Sequence, residues 1–118
     1  MTILEYSQIT EAQYEDYIGE WEQSTERAIP AATQRKGHSF AELRSAWTEE
    51  ESSAMYERRR VPATLHFFVD DTRRIVGAFH HRHELTESLA LSGGHIGYGV
   101  RPSERGRGIA SIMLESLL

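Results

Sequence analysis

The C-terminal stretch GYGVRPSERGRGIASIMLESLL, Gly97 to Leu118, decides the fold because it changes from one secondary structure to another within a few residues. HIGYGV predicts a strand, whose glycines indicate either a bulge or close strand packing. From Gly108 onward apolar residues recur at helical spacing, which predicts a helix. The intervening RGRGIA is therefore a glycine-rich loop that leads from a strand into a helix.

The chemistry of this loop favours binding of a diphosphate. Glycine permits tight turns and close approach of a ligand, and the first turn of a helix offers free N–H groups and a positive dipole end. Arg105 and Arg107 add positive charge. A Walker loop is excluded because no Lys-Ser/Thr pair follows the glycines, and Pro102 replaces the third glycine of a dinucleotide fingerprint. RNA-binding RGRG tracts are usually repeated, whereas this one occurs once.

Upstream, the segments TLHFFVD and RIVGAFHHRHEL are rich in β-branched and aromatic residues and are separated by the polar turn DDTRR. They predict a hairpin with strands over 64–70 and 74–84, followed by a third strand over 94–101. A helix over 106–118 completes this half of the chain.

Two helices are predicted in the N-terminal half, over 10–25 and 39–58. Thr10 and Ser39 are candidate caps, with Gln13 and Glu42 in the capping-box positions. The element order is helix, helix, strand, strand, strand, helix, which indicates one mixed α/β domain over 1–118.

Three consecutive arginines, Arg58 to Arg60, lie near the end of the second predicted helix. Positive charge suits the negative pole of a helix C-terminus, and this is the favoured interpretation. An anion site is the alternative.

Composition excludes several classes of function. The net charge of -5 argues against a general nucleic-acid binder and against attraction to acidic membrane surfaces. The chain has no cysteine, so disulfides, thiolate metal sites and cysteine catalysis are excluded. The start has no signal-peptide pattern, and no apolar run approaches the ~20 residues of a membrane span. We expect a cytoplasmic protein without membrane or nucleic-acid partners.

The run from Arg105 to Ala110 resembles the Arg/Gln-x-x-Gly-x-Gly/Ala signature of the GNAT superfamily of acyl-CoA N-acetyltransferases. IGYGVRPSE resembles the fourth strand of that fold and its Val-x-Pro exit, and VPATLHFFVDDTRRIVGAFHHRHEL resembles its second and third strands. The amino-acid sequence of these segments is similar to that of a bacterial branch of predicted acetyltransferases. The resemblance is strong over 61–118 and looser over the N-terminal helices. It implies a mixed, mainly antiparallel sheet flanked by helices.

The resemblance also implies acetyl-CoA as cosubstrate and direct transfer of the acetyl group to an amine of a small molecule or peptide. The N–H of Val100 is the implied donor to the thioester oxygen. The pantetheine arm would lie along the strand, and the pyrophosphate would lie on the loop amides. The implied cofactor-binding residues are Tyr98, Gly99, Val100, Arg105, Gly106, Arg107, Gly108, Ile109 and Ala110.

The general base is not assigned by the sequence. Weak candidates are His83, Glu84 and His95, since a base must take a proton from the acceptor amine. Strand alternation places His81 and His83 on one face, with His80 and Glu84 on the other. A metal site formed by His81, His83 and His95 is a weaker alternative, and no metal is expected.

The sequence ends where GNAT domains continue into a fifth strand, another helix and a final hairpin. We expect either a fragment or a shortened form, with weaker CoA binding than in a complete domain. The unpaired edge of the fourth strand, or the apolar last helix, would then favour a homodimer. The alternative function is a truncated, non-catalytic CoA-binding or interaction module.

Overall fold

The computed structural model describes residues 1–83 and 96–116. Within them lie four strands and four α-helices, joined in places by short 3-10 turns. The strands are β1 (Thr2–Glu5), β2 (Ala63–Val69), β3 (Ile75–Arg82) and β4 (Ile96–Val100). The helices are α1 (Glu11–Gln23), α2 (Phe40–Glu51), α3 (Ala54–Glu57) and α4 (Ile109–Ser116).

The four strands form one sheet in the order β1-β2-β3-β4, and each strand is antiparallel to its neighbours. The pairing of β3 with β4 runs without a shift from Gly77 opposite Val100 to His81 opposite Ile96. The register shift lies instead in the pairing of β2 with β3, where Phe68 is opposite Gly77 and Val69 is opposite Ile75. The bulge that the glycines of this strand could indicate is therefore not present in the pairing of β4 with β3.

Alternation along β2 divides the core between the two faces of the sheet. Leu65, Phe67 and Val69 belong to the larger cluster, which α1 and α2 cover with aromatic side chains such as Trp47. Phe68 points to the opposite face. The smaller cluster on that face comprises Phe68, Val76, Phe79, Ile109 and Met113. Helices α1 and α2 thus cover one face of the sheet, which we call the helix face. Helix α4 covers the second face.

The predicted helix starts are confirmed. The side chains of Thr10 and Ser39 accept hydrogen bonds from the backbone N–H of Gln13 and Glu42. The side chains of Gln13 and Glu42 accept in return from the backbone of the caps. Two donors that the helix leaves without an internal partner are satisfied at each start.

The three-strand prediction is wrong by one strand, because Thr2–Glu5 pairs with β2. This segment is short and mostly exposed, so its sequence has no alternation of apolar and polar residues that would predict a strand. It becomes a strand because it pairs with the edge of β2. The helix predicted over 39–58 is also wrong in its middle. Ser52 is extended, and its hydroxyl donates to the carbonyl of Glu49 at 2.6 Å, which ends α2 before the separate short α3.

The last helix begins at Ile109, not at 106. Gly106 and Gly108 have φ of +81° and +76°, which a right-handed helix excludes. The other strands differ from prediction by one or two residues at the ends that the structure describes. Residues 84, 94, 95, 117 and 118 of the predicted elements lie outside the described residues.

Gly99 is required by close packing of the loop between α1 and α2. A Cβ built there would lie 2.0 Å from the carbonyl oxygen of Ile29, whereas one at Gly97 would lie 3.7 Å from Cβ of Pro30. The close contact at Gly99 is therefore with a loop, and not with a strand as the sequence had indicated. The contact holds the loop against β4 on the helix face.

We predict that Gly99→Ala lowers the free energy of unfolding by about 1–3 kcal/mol, because backbone must move to admit the methyl group. Gly97→Ala is the matched control, since its Cβ has ordinary contact distances. Denaturant unfolding of the two variants measures the difference. Equal stabilities would contradict the close contact at Gly99.

Candidate functional site

A buried arginine joins the end of β4 to α1. Arg101 is 3% exposed and donates from Nε to Glu20 and from Nη1 to Asp16, both at 2.8 Å. It also donates to the backbone carbonyls of Ile75 and Asp16, both at 3.1 Å. We call Arg101, Asp16 and Glu20 the Arg101 cluster. It determines where the chain leaves the sheet.

The turn after β4 is held by the same acidic side chains. Ser103 donates to Glu20 from its backbone N–H at 2.7 Å and from its hydroxyl at 2.9 Å. Arg74, which precedes β3, contacts both Glu104 and Glu20. The 3-10 turn Pro102–Glu104 is therefore bonded to α1 and to the β2–β3 hairpin before the glycines are reached.

The charge pairing lowers the pKa of both carboxyl groups. The hydrogen bond from Arg101 is the main reason that the pKa of Asp16 lies below its ordinary value. For Glu20 burial works in the opposite direction, but hydrogen bonds from Arg101 and Ser103 outweigh it, and the pKa is again lowered. Both groups thus favour the ionised form that holds Arg101.

The glycine loop, residues 105–108, leads into α4 with an open surface. Both Gly106 and Gly108 have left-handed backbone, and a Cβ at either position would meet no atom within 4 Å. The N–H of Ile112 donates to the carbonyl of Gly108, so Gly108 immediately precedes the first helical turn. Backbone at the positive end of α4 is therefore accessible to an anion on this side.

The two arginines of the loop have different surroundings. Arg105 donates to Glu26 at 2.6 Å, and its guanidinium lies 5.3 Å from the ring centroid of Trp21. The Arg107 side chain is 69% exposed, and its ion pair within the described residues is a 3.5 Å contact with Glu104. Arg105 already holds the loop to the end of α1, whereas Arg107 can turn toward a ligand.

The outer edge of β4 offers backbone groups to an extended ligand. The N–H of Arg101 donates to the carbonyl of Val76 on β3. Because N–H directions alternate along a strand, those of Tyr98 and Val100 point away from β3. In residues 1–83 and 96–116 no strand pairs with this edge. The self-association expected there stays a prediction.

His83, the sequence candidate for the base that lies within the described residues, is not brought to this edge. Nε2 of His83 lies 2.6 Å from the hydroxyl of Thr64, which also donates to Glu51. Val100 pairs with Gly77 at the other end of β3. Six residues along a strand correspond to about 20 Å, so His83 is remote from Val100. Glu84 and His95 lie outside the described residues.

The structure instead pairs two residues that the sequence did not connect. His80 and Glu50 line a cleft of about 790 Å³ on the helix face, with Nε2 and Oε2 3.0 Å apart. Strand alternation predicted that His80 lies on the opposite face of β3 from His81. It did not predict that Glu50 of α2 would lie beside His80, because that contact depends on how α2 packs on the sheet. In the described parts of the chain no three metal-ligating side chains are grouped to hold a metal ion.

The sequence matches the acetyltransferase (GNAT) family over residues 6–118. The chain belongs to this family. The resemblance based on RGRGIA is thereby confirmed, as is the architecture of an antiparallel sheet flanked by helices. Comparison with curated proteins and with solved structures gave no significant match. None of the described helices of this GNAT domain is long and apolar enough to cross a bilayer.

We predict that Arg101→Met lowers the free energy of unfolding of the GNAT domain by about 3 kcal/mol, the lower end for a broken buried pair. The lower end applies because the Asp16 side chain is 57% exposed and can be hydrated. Arg107→Met is the control and should change stability by less than about 0.5 kcal/mol. Chemical denaturation measures both. A loss at Arg101 no larger than at Arg107 would contradict a structural role for the cluster.

Acid should destabilise the domain through the same cluster. Because the folded-state pKa values of Asp16 and Glu20 are lowered, the unfolded chain takes up protons first as the pH falls. The stabilisation is complete above the ordinary pKa values of 3.8 and 4.5 and is lost as the pH falls through the folded values.

Unfolding free energies measured from about pH 6 to pH 2.5 should therefore fall less steeply in Asp16→Asn than in the unaltered domain. Asp71→Asn is the matched control, because the side chain of Asp71 is fully exposed and water screens its 3.9 Å contact with the N-terminal amino group. Its curve should run parallel to that of the unaltered domain. A parallel curve for Asp16→Asn as well would argue against the pairing with Arg101.

Proposed function

We propose that this GNAT domain is an N-acetyltransferase that moves an acetyl group from acetyl-CoA directly to an amine. The observation that carries the proposal is the glycine loop, which combines two left-handed glycines, an open surface and the N-terminus of α4. Backbone amides at a helix start bind phosphate oxygens because they present both hydrogen-bond donors and positive potential. Membership of the family supports the same reaction class.

The donor would occupy two adjoining parts of the site. The pyrophosphate would lie on the amides from Arg105 to Ala110, with Arg107 as its side-chain ligand. Arg105 would position the loop through Glu26 and Trp21 rather than bind phosphate. The pantetheine arm would extend along β4 and pair with its outward amides.

The chemistry that this arrangement would support is attack of a neutral amine on the thioester carbonyl. The carbonyl oxygen gains negative charge as the C–N bond forms, and the outward N–H of Val100 is placed to stabilise it. Collapse of the adduct breaks the C–S bond and releases CoA. No covalent intermediate with the enzyme is needed, in agreement with the absence of cysteine from the sequence.

Calorimetric titration with acetyl-CoA tests the donor site. In Gly108→Glu, a carboxylate would occupy the space that we assign to the pyrophosphate. We expect the affinity for acetyl-CoA to fall at least about tenfold, or about 1.4 kcal/mol. Gly37→Glu is the matched control, since Gly37 also has a positive φ of +80° and open space, but lies in the α1–α2 loop. Both variants carry the same charge and a similar backbone cost.

Retained affinity in Gly37→Glu together with lost affinity in Gly108→Glu would support the glycine loop as the phosphate site. Equal affinities in the two variants would contradict it. Thermal unfolding of both proteins, recorded in parallel, separates lost binding from lost folding.

A further inference from the structure

The cleft on the helix face lies over the N-terminal half of β4, whereas the glycine loop follows the C-terminal end of that strand. Its floor includes Ala63, His80 and Gly97 from the three neighbouring strands. Gly97 precedes Val100 by three residues, which is about 10 Å along a strand. A molecule that extends from the cleft along β4 would therefore span about 10 Å to meet an acyl group held at Val100, the last residue of that strand.

His80 and Glu50 form the one carboxylate–imidazole contact that we find among the described residues lining the cleft. Their side chains are 19% and 29% exposed, and the two facing atoms are 3.0 Å apart. These atoms are buried but not aligned for a hydrogen bond, and neither has another partner in the described residues. Buried polar atoms are usually satisfied, so this pair has room for a hydrogen bond to water or to a bound molecule.

The cleft lining also carries positive charge from elements other than β3. Lys36 comes from the α1–α2 loop, and Arg59 and Arg60 follow α3. In the described part of the chain none of these three forms a salt bridge, whereas Arg58 pairs with Glu49. The arginine triplet thus divides into one structural residue and two that face the cleft. The anion-site alternative raised by the sequence gains support from this division.

We infer that the cleft is the acceptor site, that it takes a small amine that also carries an anionic group, and that His80, which lies beside Glu50, removes the proton. This inference rests on the proposed acetyl transfer. The anionic group would contact the three cations, which leaves the ammonium group beside the only carboxylate of the cleft lining in the described residues. An amine without an acidic group would leave those cations without a ligand.

The proton balance of the transfer agrees with a histidine in this position. Imidazole titrates near neutral pH, and when Nε2–H faces Glu50 the other ring nitrogen is free to accept a proton. The ammonium group gives one proton to His80 and attacks as the neutral amine. The C–N bond forms, the C–S bond breaks, and the second nitrogen-bound proton passes to the CoA thiolate. The products are the amide, CoA and a proton that leaves from His80.

Several charged groups line the cleft together with His80. They come from α2, from the α1–α2 loop, from the turn after α3 and from the end of β3 itself. These groups are Glu50, Lys36, Arg59, Arg60 and Arg82.

The test uses the full chain with acetyl-CoA and matched pairs of amines: amino acids, the corresponding amino acid amides, and aminoalkyl phosphonates. Release of the CoA thiol is followed with a thiol reagent, to which a chain without cysteine gives no background. We expect the acid-bearing amines to react with kcat/KM at least about tenfold above that of the amides, or about 1.4 kcal/mol. Comparison of carboxylates with phosphonates identifies the preferred anion.

Two sets of variants assign the roles. Arg59→Gln combined with Arg60→Gln should raise KM for the acid-bearing amine about tenfold and leave the amide unchanged, with Arg58→Gln as the control that changes neither. His80→Gln should lower kcat about a hundredfold and remove the rising limb of the pH–rate profile. Glu50→Gln should move that limb, because the carboxylate interacts with the imidazole.

Equal kcat/KM for amino acids and their amides would overturn the inference, as would an unchanged pH profile in His80→Gln. If acetyl-CoA binds but no acid-bearing amine reacts or binds by calorimetry, the acceptor assignment is likewise overturned. Failure of acetyl-CoA itself to bind would instead overturn the proposed function. The two failures are therefore distinguishable.

Discussion

The buried guanidinium of Arg101 is the interaction on which the arrangement of this domain depends. It lies where β4 ends, and its hydrogen bonds reach α1 through Asp16 and Glu20 and reach β3 through the carbonyl of Ile75. A buried arginine needs this many partners, because removing it from water is costly unless its donors are satisfied. Because these hydrogen bonds hold Arg101 to both α1 and β3, they set the direction in which the chain leaves β4. The turn Pro102–Glu104, the glycine loop and α4 all follow from that direction.

The second constraint is the contact between Ile29 and Gly99, which places the α1–α2 loop against β4. It separates two regions of the same strand. The outward amides and the glycine loop lie toward the C-terminal end of β4, whereas the cleft with His80 and Glu50 lies over its N-terminal half. A group-transfer enzyme needs donor and acceptor sites that adjoin without overlapping. We propose that β4 provides the boundary at which they meet.

Local sequence signals predicted the elements that depend on local physics. The caps at Thr10 and Ser39 needed only a side chain within reach of the next turn, and both formed. The glycine loop was read from chain conformation and helix electrostatics, and the left-handed φ values of Gly106 and Gly108 agree with that reading. The missed strand β1 and the break at Ser52 had weak signals. The first depends on a neighbour that is about sixty residues away, and the second on a serine competing for backbone hydrogen bonds.

By itself, the sequence determined the family, the antiparallel sheet flanked by helices, and the position of the glycine loop. These follow from periodicity, capping and glycine conformation, which act over a few residues. Only the tertiary structure decided the partners of Arg101, the separate surroundings of Arg105 and Arg107, and the meeting of Glu50 with His80. Each joins residues from different elements. Such contacts depend on how the helices pack on the sheet, and local patterns in the sequence do not predict that packing.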